Sequence, residues 1–373
     1  MKIGVLTSSR ADFGIYLPLI NEFKKDPYFK FSLIVFGTHL SKKHGYTIDE
    51  IMDNGFTPEF VFKPVLFEDS PTGIAKSISA TFIQFENFWT NHNHTFDIVL
   101  CLGDRYEMFA AVTAGISFGI KFGHIHGGET TLGAIDNIYR HSISLSSYIH
   151  FTAAEKFSDR VKAIIDNTDN VYTVGSLSLD GFMQTDFLTI SEFHKKWQVD
   201  LEIETILVTV HPETVAFDEV EKHSKILLQT LNYLSKDFQI IITMPNADTY
   251  GMIIRNMINQ NLRNKKNIYI FENLGKQSYF TAMKYCSFML GNTSSGIIEA
   301  ASFNKYVIDL GERQKGRLTS KNVLHSAFNL NEIIEKINFI QKSQYNYTGT
   351  NIYFQKNVAN SIIQILKNID SGK

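Results

Sequence analysis

The chain contains 373 residues, of which 44% are apolar and 20% are charged, a composition typical of soluble globular proteins. Its formal net charge of -2 provides no basic field that would bind nucleic acid or an anionic membrane by bulk electrostatics, so an anionic ligand must be bound by local groups. Because one hydrophobic core rarely keeps growing at this length, we predict two domains.

The cysteine content and the N-terminus favour a cytoplasmic protein. Cys101 and Cys286 lie in apolar runs without CxxC spacing, which predicts reduced, buried thiols and neither a disulfide framework nor a zinc-thiolate site. The sequence turns polar at Thr7, too early for a signal peptide, and no apolar run reaches the ~18 residues of a membrane span.

Short apolar runs alternate with stretches of helical spacing along the chain. We predict strands at residues 2–7, 31–37, 96–103, 120–126, 147–152 and 171–175, and helices near residues 14–26, 73–92, 105–118, 136–146 and 154–166. The strand pattern restarts at residues 204–211, 238–244, 267–271, 286–291 and 305–311, and a last helix is expected near residues 354–367. This alternation is typical of parallel sheets covered by helices, so we predict an α/β protein with two Rossmann-like domains, at residues 1–178 and 179–354.

Seven polar segments follow directly after predicted strands: TSSRADFG, GDRYE, HIHGGE, HPET, PNADTYG, GNTSSG and GERQKGR. Ligands of open α/β sheets bind beyond the carboxyl ends of the strands. We therefore expect these segments to form the ligand site, in a cleft that the two domains face.

Three of these loops have features of phosphate sites. GNTSSG precedes a helical stretch, so Ser294 and Ser295 would offer hydroxyls and backbone N–H groups to a phosphate, or one of them would be a plain helix N-cap. Glu299, further along that helix, would meet a sugar hydroxyl or be an exposed surface acid. Arg10 and Arg313 would bind a diphosphate or be solvated turn residues. The sequence contains neither GxxxxGKS, GxxxxGKT nor GxGxxG, one of which an ATPase or a nicotinamide-dependent enzyme would be expected to show.

Two carboxylates end neighbouring predicted strands, Asp104 in GDRYE and Glu129 in HIHGGE. Paired acids in different environments are the usual groups for removing and returning a proton. Each would more often form an ion pair, here with Arg105 or Arg140. Asp136 is either a third member of this acid/base set or the cap of the next helix.

The histidines of HIHGGE raise the alternative of a metal site, because His124, His126 and Glu129 are three ligand-type side chains within six residues. Strand residues i and i+2 share a face, so chelation would need that face to point into the ligand site. No second cluster with ligand spacing is present in the sequence, and we predict no metal. His211 ends a strand of the second domain, where it would neutralise a leaving phosphate or be hydrogen-bonded structurally.

The seven motifs occur in the order found in hydrolysing UDP-N-acetylglucosamine 2-epimerases. The chain resembles that family from Lys2 to beyond Arg317, especially the bacterial enzymes that make N-acetylmannosamine for sialic acid. The resemblance implies a glycosyltransferase-B-type fold, a C-terminal helix at residues 355–373 that packs back on the first domain, a homodimer, and no cofactor. The implied reaction is anti elimination of UDP across carbons 1 and 2 of the sugar, followed by syn addition of water.

The resemblance also implies roles for single residues. Asp104, Glu129 and Asp136 would be the acid/base set, with His211 as a further catalytic candidate. Many relatives carry a carboxylate at the position of His126, so either Glu129 or His126 would do the work of that acid. The residues implied in binding UDP are Arg10, Arg105, His211, Ser294, Ser295 and Arg313, with Glu299 on the ribose and Asn246 towards the uracil. Arg140 is predicted to bind the substrate.

Four alternatives stay open at this point. The same chemistry on UDP-2,4-diacetamido-2,4,6-trideoxyglucose would serve legionaminic acid synthesis. A non-hydrolysing 2-epimerase would interconvert UDP-sugars with the nucleotide still attached. A retaining glycosyltransferase would need an acceptor to release UDP, and a nucleotide-sugar sensor would bind without turnover.

Overall fold

The computed structural model describes residues 1–42, 45–65, 68, 70–182, 186–245 and 250–371. The chain divides into two compact units. Unit 1 comprises Met1–Glu129, Asp136–Met183 and Tyr353–Lys373, and unit 2 comprises Thr130–Ile135 and Gln184–Ile352. The sequence did not predict that the short segment Thr130–Ile135 belongs to unit 2. No helix in the described part of the chain is long and apolar enough to cross a bilayer.

Unit 1 is built on a parallel sheet of seven strands in the order β3-β2-β1-β4-β5-β6-β7. The strands are β1 Lys2–Thr7, β2 Lys30–Val35, β3 Phe60–Val61, β4 Ile98–Leu102, β5 Phe122–Ile125, β6 Ile149–Thr152 and β7 Val171–Thr173. The α-helices of unit 1, apart from the C-terminal one, are α1 Arg10–Lys25, α2 Ile48–Asp53, α3 Pro71–His92, α4 Tyr106–Gly115, α5 Asp136–Leu145 and α6 Glu155–Ile165.

All five residues of β4 are buried, as expected for a central parallel strand with helices on both faces. Ile98 and Leu100 pack into one hydrophobic cluster, whereas Val99 and Cys101 pack into another, because successive side chains of a strand point to opposite faces. The C-terminal helix Val358–Asp370 contributes Ile362 to the first of these clusters, which also contains apolar residues of α1.

Unit 2 repeats the architecture with a parallel sheet of six strands in the order β10-β9-β8-β11-β12-β13. The strands are β8 Thr205–Thr209, β9 Gln239–Thr243, β10 Ile268–Phe271, β11 Phe288–Gly291, β12 Val307–Leu310 and β13 Val323–Ser326. The helices are α7 Ile190–Trp197, α8 Val220–Leu234, α9 Gly251–Asn261, α10 Gly275–Tyr285, α11 Ser294–Ile298 and α12 Leu330–Lys342.

The predicted fold class, two Rossmann-like parallel sheets with alternating helices, is confirmed. Two edge strands were not predicted, namely β3 and β13. The first has only two residues, and most of the second is incompletely buried, so neither shows the continuous apolar run that marks a central strand.

Candidate active site

The loop after β1 is organised by Asp12. This buried carboxylate accepts hydrogen bonds from the backbone N–H groups of Ser8 and Ser9, at 2.9 and 3.1 Å, and from both hydroxyls, at 2.6 and 3.0 Å. Burial raises the pKa of Asp12, while the charge of Arg105 and the serine hydrogen bonds oppose that shift. Arg10 is half-buried as the first residue of α1, so its backbone is fixed by this cap. Sequence reasoning missed Asp12, although Ser-x-x-Asp before an apolar helix resembles a capping box.

Arg105 and Arg140, the two predicted partners of Asp104, both form ion pairs. Asp104, which follows β4, accepts a hydrogen bond from Nη2 of Arg140, whose side chain is 3% exposed. Arg105 instead makes a two-point contact with Glu107, at 3.2 and 2.9 Å, and the Glu107 side chain is completely buried. The sequence left open which arginine would pair with Asp104, and the structure places Arg140 there.

Both ring nitrogens of His124 form hydrogen bonds with groups of unit 1. Its Nε2 lies 2.8 Å from the carbonyl oxygen of Gly103, which can only accept, so Nε2 carries the ring proton and Nδ1 accepts from the Ser144 hydroxyl at 3.0 Å. Burial lowers the pKa of His124 to about 3, which keeps the imidazole neutral. His124 therefore holds the turn that carries Asp104. Within the described ranges, no group of three or more His, Cys, Asp or Glu side chains could hold a metal ion.

His126 joins Glu129 to a turn far along the chain. The N–H of Leu177 donates to Nε2 of His126 at 3.3 Å, so Nε2 is unprotonated and Nδ1–H donates to Oε1 of Glu129 at 3.1 Å. Both side chains are buried, and the Ser176 hydroxyl lies 3.5 Å from the same Nε2. His126 has a left-handed backbone with φ of 64°, which is uncommon for a residue other than glycine. Both ring nitrogens are thus occupied by groups of unit 1.

Asp136 is half-buried and is the first residue of α5, four positions before Arg140. A carboxylate in the first helical turn is stabilised by the helix dipole, which agrees with a helix-terminal position for Asp136. Residues i and i+4 of a helix share a face, so Asp136 and Arg140 project from the same side of α5. The backbone before Glu129 is held by Arg160, whose Nη1 donates to the Gly128 carbonyl at 2.8 Å.

The candidate residues of unit 2 follow adjacent strands. His211 follows β8, and its backbone N–H and carbonyl both bond the side chain of Asn292, at 2.7 and 2.9 Å. Arg313 follows β12, and its Nη1 donates to the Asn292 carbonyl at 3.2 Å. Asn292 lies between them at the end of β11 and is fully buried. Sequence reasoning missed Asn292, since nothing local marks it beyond its place in GNTSSG.

The GNTSSG loop does not end in a serine N-cap. The N-cap of α11 is Thr293, whose side chain makes no capping hydrogen bond, so the alternative that Ser294 or Ser295 caps the helix is wrong. Ser294 is exposed, and the hydroxyl of Ser295 lies 2.6 Å from that of Tyr279. Burial raises the pKa of Tyr279 to about 12, so the phenol stays protonated. Glu299 is 6% exposed, and the alternative that it is a surface acid is therefore also wrong.

The loop after β12 is shaped by Glu213. The Oε1 of this buried carboxylate accepts the Glu312 N–H at 2.6 Å, one residue before Arg313. Gly311 permits the contact, since a Cβ at that position would lie 1.9 Å from Oε1 of Glu213. Thr130–Ile135 packs on the same loop, where the Leu132 N–H donates to the Lys315 carbonyl at 3.0 Å. Asn246, predicted towards the uracil, lies outside the described residues.

The two sheets match solved structures of glycosyltransferase-B-like nucleotide-sugar 2-epimerases. The UDP-GlcNAc 2-epimerase of Neisseria meningitidis bound to UDP-GlcNAc superposes with a TM-score of 0.82 at 18% identity, covering 99% of this chain and 100% of the other. The Methanocaldococcus jannaschii UDP-GlcNAc 2-epimerase gives a TM-score of 0.79 at 16% identity, covering 98% and 99%. At this identity the likeness establishes the fold.

Sequence comparison assigns the family. The family model described as UDP-N-acetylglucosamine 2-epimerase matches residues 21–367. A GDP/UDP-N,N'-diacetylbacillosamine 2-epimerase (hydrolyzing) of Campylobacter jejuni is 34% identical over 90% of this chain and 87% of its own length. A UDP-N,N'-diacetylbacillosamine 2-epimerase (hydrolyzing) of Legionella pneumophila is 31% identical over 99% and 96%. A polysialic acid biosynthesis protein of Escherichia coli is 30% identical over 100% and 95%. The chain therefore belongs to the UDP-N-acetylglucosamine 2-epimerase family.

Proposed function

We propose that the protein is a hydrolysing 2-epimerase that converts a UDP-2-acetamido sugar and water into UDP and the free 2-epimeric sugar. The observation that carries the proposal is the placement of two carboxylates after the adjacent strands β4 and β5: Asp104 is paired with Arg140, and Glu129 is oriented by His126. Two relatives above 30% identity are named as hydrolysing enzymes, which favours hydrolysis over interconversion of UDP-sugars.

The reaction has two steps that conserve atoms. In the first, a carboxylate removes the proton from carbon 2 while the bond between carbon 1 and the β-phosphate oxygen breaks, which leaves UDP and a 1,2-unsaturated 2-acetamido sugar. In the second, water adds across the double bond, so that carbon 1 gains hydroxyl and carbon 2 regains a proton with inverted configuration. Carbon 2 is a weak acid, so the enzyme must stabilise negative charge on the leaving diphosphate while the base acts.

Asp104, Glu129 and Asp136 are the groups that we assign to proton transfer. The contacts of His126 support a positioning role for it, because one ring nitrogen accepts from Leu177 and the other donates to Glu129. We therefore assign to Glu129 the work of the acid that many relatives carry at the position of His126. Arg140 would neutralise Asp104 and contribute a buried positive charge near the substrate.

We assign binding of the leaving diphosphate to six residues: Arg10, Arg105, His211, Ser294, Ser295 and Arg313. Their support is the family membership together with their position after strands, where backbone N–H groups and cations meet ligands. Nε and Nη2 of Arg105 both donate to Glu107. The Arg105 guanidinium therefore reaches a phosphate only with the N–H groups that do not face Glu107, or after a change of rotamer. Glu299 is assigned to the ribose and Asn246 to the uracil side.

Two sugars are candidates for the substrate. UDP-N,N'-diacetylbacillosamine, the 2,4-diacetamido-2,4,6-trideoxyglucose derivative, is favoured by the Campylobacter and Legionella relatives. UDP-N-acetylglucosamine, the precursor of N-acetylmannosamine for sialic acid, is favoured by the polysialic acid relative and by the family description. We also propose a homodimer, as the family resemblance implies, which light scattering of the purified protein would test.

The deciding experiment incubates the purified protein with each UDP-sugar in heavy water and follows the products by NMR. We expect free UDP and a free sugar that carries one deuterium at carbon 2 and the inverted configuration. An epimerised sugar still joined to UDP would identify a non-hydrolysing enzyme instead. UDP release only with an added acceptor would indicate a glycosyltransferase, and binding without turnover of either sugar would indicate a sensor.

A further inference from the structure

Asn292 occupies the centre of the three strand ends that carry the unit 2 candidates. It follows β11, which pairs with β8 on one side and with β12 on the other. The Asn292 side chain accepts the His211 N–H at 2.7 Å and donates to the His211 carbonyl at 2.9 Å. The amide thereby continues the pairing of β8 and β11 beyond the last backbone rung, and it satisfies both main-chain groups of His211.

The backbone carbonyl of Asn292 contacts the loop after β12, on the other side of β11 from His211. This carbonyl accepts Nη1 of Arg313 at 3.2 Å and Nε2 of Gln314 at 2.7 Å. Gln314 is 3% exposed, and its Oε1 accepts Nη1 of Arg317 at 2.9 Å. One buried residue thus connects the loops after β8, β11 and β12.

We propose that Asn292 is a positioning residue that fixes His211 and Arg313 relative to one another for stabilisation of the leaving diphosphate. The inference rests on the proposed function, which assigns both residues to that group. Charge grows on the diphosphate as the bond to carbon 1 breaks, so donors that are already in place lower the barrier more than they tighten binding of the substrate. A shift of about 1 Å in such groups is enough to cost on the order of 10²-fold in rate.

The test is a double-mutant cycle between Asn292 and His211. Asn292→Asp keeps the size and the acceptor for the His211 N–H but places a carboxylate oxygen against the His211 carbonyl. We expect kcat to fall by about 10²-fold with a smaller change in KM. If Asn292 acts through His211, the double variant Asn292→Asp with His211→Ala should be no more than about 3-fold slower than His211→Ala alone. Fully additive losses would overturn the proposal.

Asn322→Asp is the matched control, because Asn322 is also fully buried in unit 2 and its Nδ2 donates to the Lys305 carbonyl at 2.9 Å. We expect this variant to lose stability through the same buried charge while kcat remains within about 3-fold of wild type. An equal loss of kcat in both variants would mean that Asn292 is important only for folding.

A second variant keeps the test valid if Asn292→Asp does not fold. Gln314→Met removes the Nε2 bond to the Asn292 carbonyl and also the Oε1 bond from Nη1 of Arg317. Arg317→Met, which removes the second of these bonds and keeps the first, is its control. Calorimetric titration of both variants with UDP then measures the Arg313 side of the network. We expect the Kd for UDP to rise by about 10-fold in Gln314→Met, and an unchanged Kd would overturn this half of the proposal. Turnover of neither UDP-sugar by wild type would reject the proposed function, whereas normal turnover with an unchanged UDP affinity in Gln314→Met would reject only the Arg313 half of the Asn292 proposal.

Discussion

Arg140 pairs with Asp104 through Nη2, and its guanidinium is buried while the Asp104 side chain is 24% exposed. Among the residues that the structure describes, Nε and Nη1 of Arg140 have no hydrogen-bond partner. A buried cation that is only partly neutralised favours further negative charge or acceptors close by. The buried, partly neutralised guanidinium of Arg140 therefore fits a site that binds an anionic substrate.

Arg140→Met should lower both stability and activity. Removal of the guanidinium leaves Asp104 without its partner, but Asp104 reaches solvent, so we expect a loss of roughly 1–3 kcal/mol in the free energy of unfolding. Lys162→Met is the control, because the Lys162–Asp159 pair at 3.9 Å lies on the surface and its loss should cost less than about 1 kcal/mol. Urea unfolding checks both values, and equal losses in the two variants would contradict a special role for Arg140.

Asp104→Asn and Glu129→Gln should each lower turnover by about 10² or more while the Kd for UDP stays nearly constant. The amides keep the shape of the carboxylates but accept no proton. Asp159→Asn, a change of the same kind at an exposed position of α6, should leave turnover unaltered. Release of UDP and titration with UDP measure the two quantities. Near-normal turnover of either variant would remove that residue from the acid/base set.

His126 should tolerate asparagine better than alanine. The Nδ2 of asparagine takes the place of Nδ1 and still donates to Glu129, and asparagine adopts left-handed backbone readily, as the φ of 64° requires. We expect His126→Asn to keep turnover within about 10-fold and His126→Ala to lose about 10², if the role of His126 is to orient Glu129. If His126 transferred protons itself, both variants would lose turnover equally in steady-state assays.

The fold was largely predictable from the sequence, because central strands such as β4 and β8 are buried on both faces and read as continuous apolar runs. The loops that carry the candidates were predictable for the same reason, since they follow those strands. The hydrogen-bond partners of the candidate side chains were not predictable. Arg140 lies 36 positions from Asp104, and Leu177 lies 51 positions from His126. Such contacts depend on which strands become neighbours, and local spacing does not encode that.

Gly311→Ala should disturb the Arg313 loop beyond the cost of backbone strain. Gly311 has a φ of 71° and its Cβ would strike Glu213, whereas Gly119 has a φ of 69° and open space around its Cβ position. Gly119→Ala should therefore show the strain alone, about 1 kcal/mol of unfolding free energy. We expect a larger loss in Gly311→Ala together with UDP binding at least about 10-fold weaker, measured by calorimetry. Identical stability and UDP affinity in the two variants would exclude a role for the Glu213 contact.

The protein should lose stability as the pH falls below about 6.5, because three buried histidines resist protonation in the folded state. Burial lowers the pKa of His39 and His150 to about 4 and that of His124 to about 3, from 6.5 in the unfolded chain. Below pH 6.5 the unfolded chain therefore binds protons that the folded chain does not. The stability present above pH 6.5 is lost down to about pH 4 for His39 and His150 and down to about pH 3 for His124. Each histidine contributes a slope of up to about 1.4 kcal/mol per pH unit, so the three together contribute up to about 4 kcal/mol per pH unit.

The raised pKa of Asp12 acts in the opposite direction, because the folded state takes up that proton at a higher pH than the unfolded state does, and it therefore reduces the slope. His150→Leu isolates one histidine, since His150 is fully buried and burial is the main cause of its lowered pKa. We expect this variant to reduce the pH slope of the unfolding free energy by about one third. Phe151→Leu, a change at the next, fully buried residue of β6 that involves no titratable group, should leave the slope unchanged. Urea unfolding between about pH 7 and pH 4.5 measures the slopes, and parallel lines for wild type and His150→Leu would contradict the assignment of the acid sensitivity to these buried imidazoles.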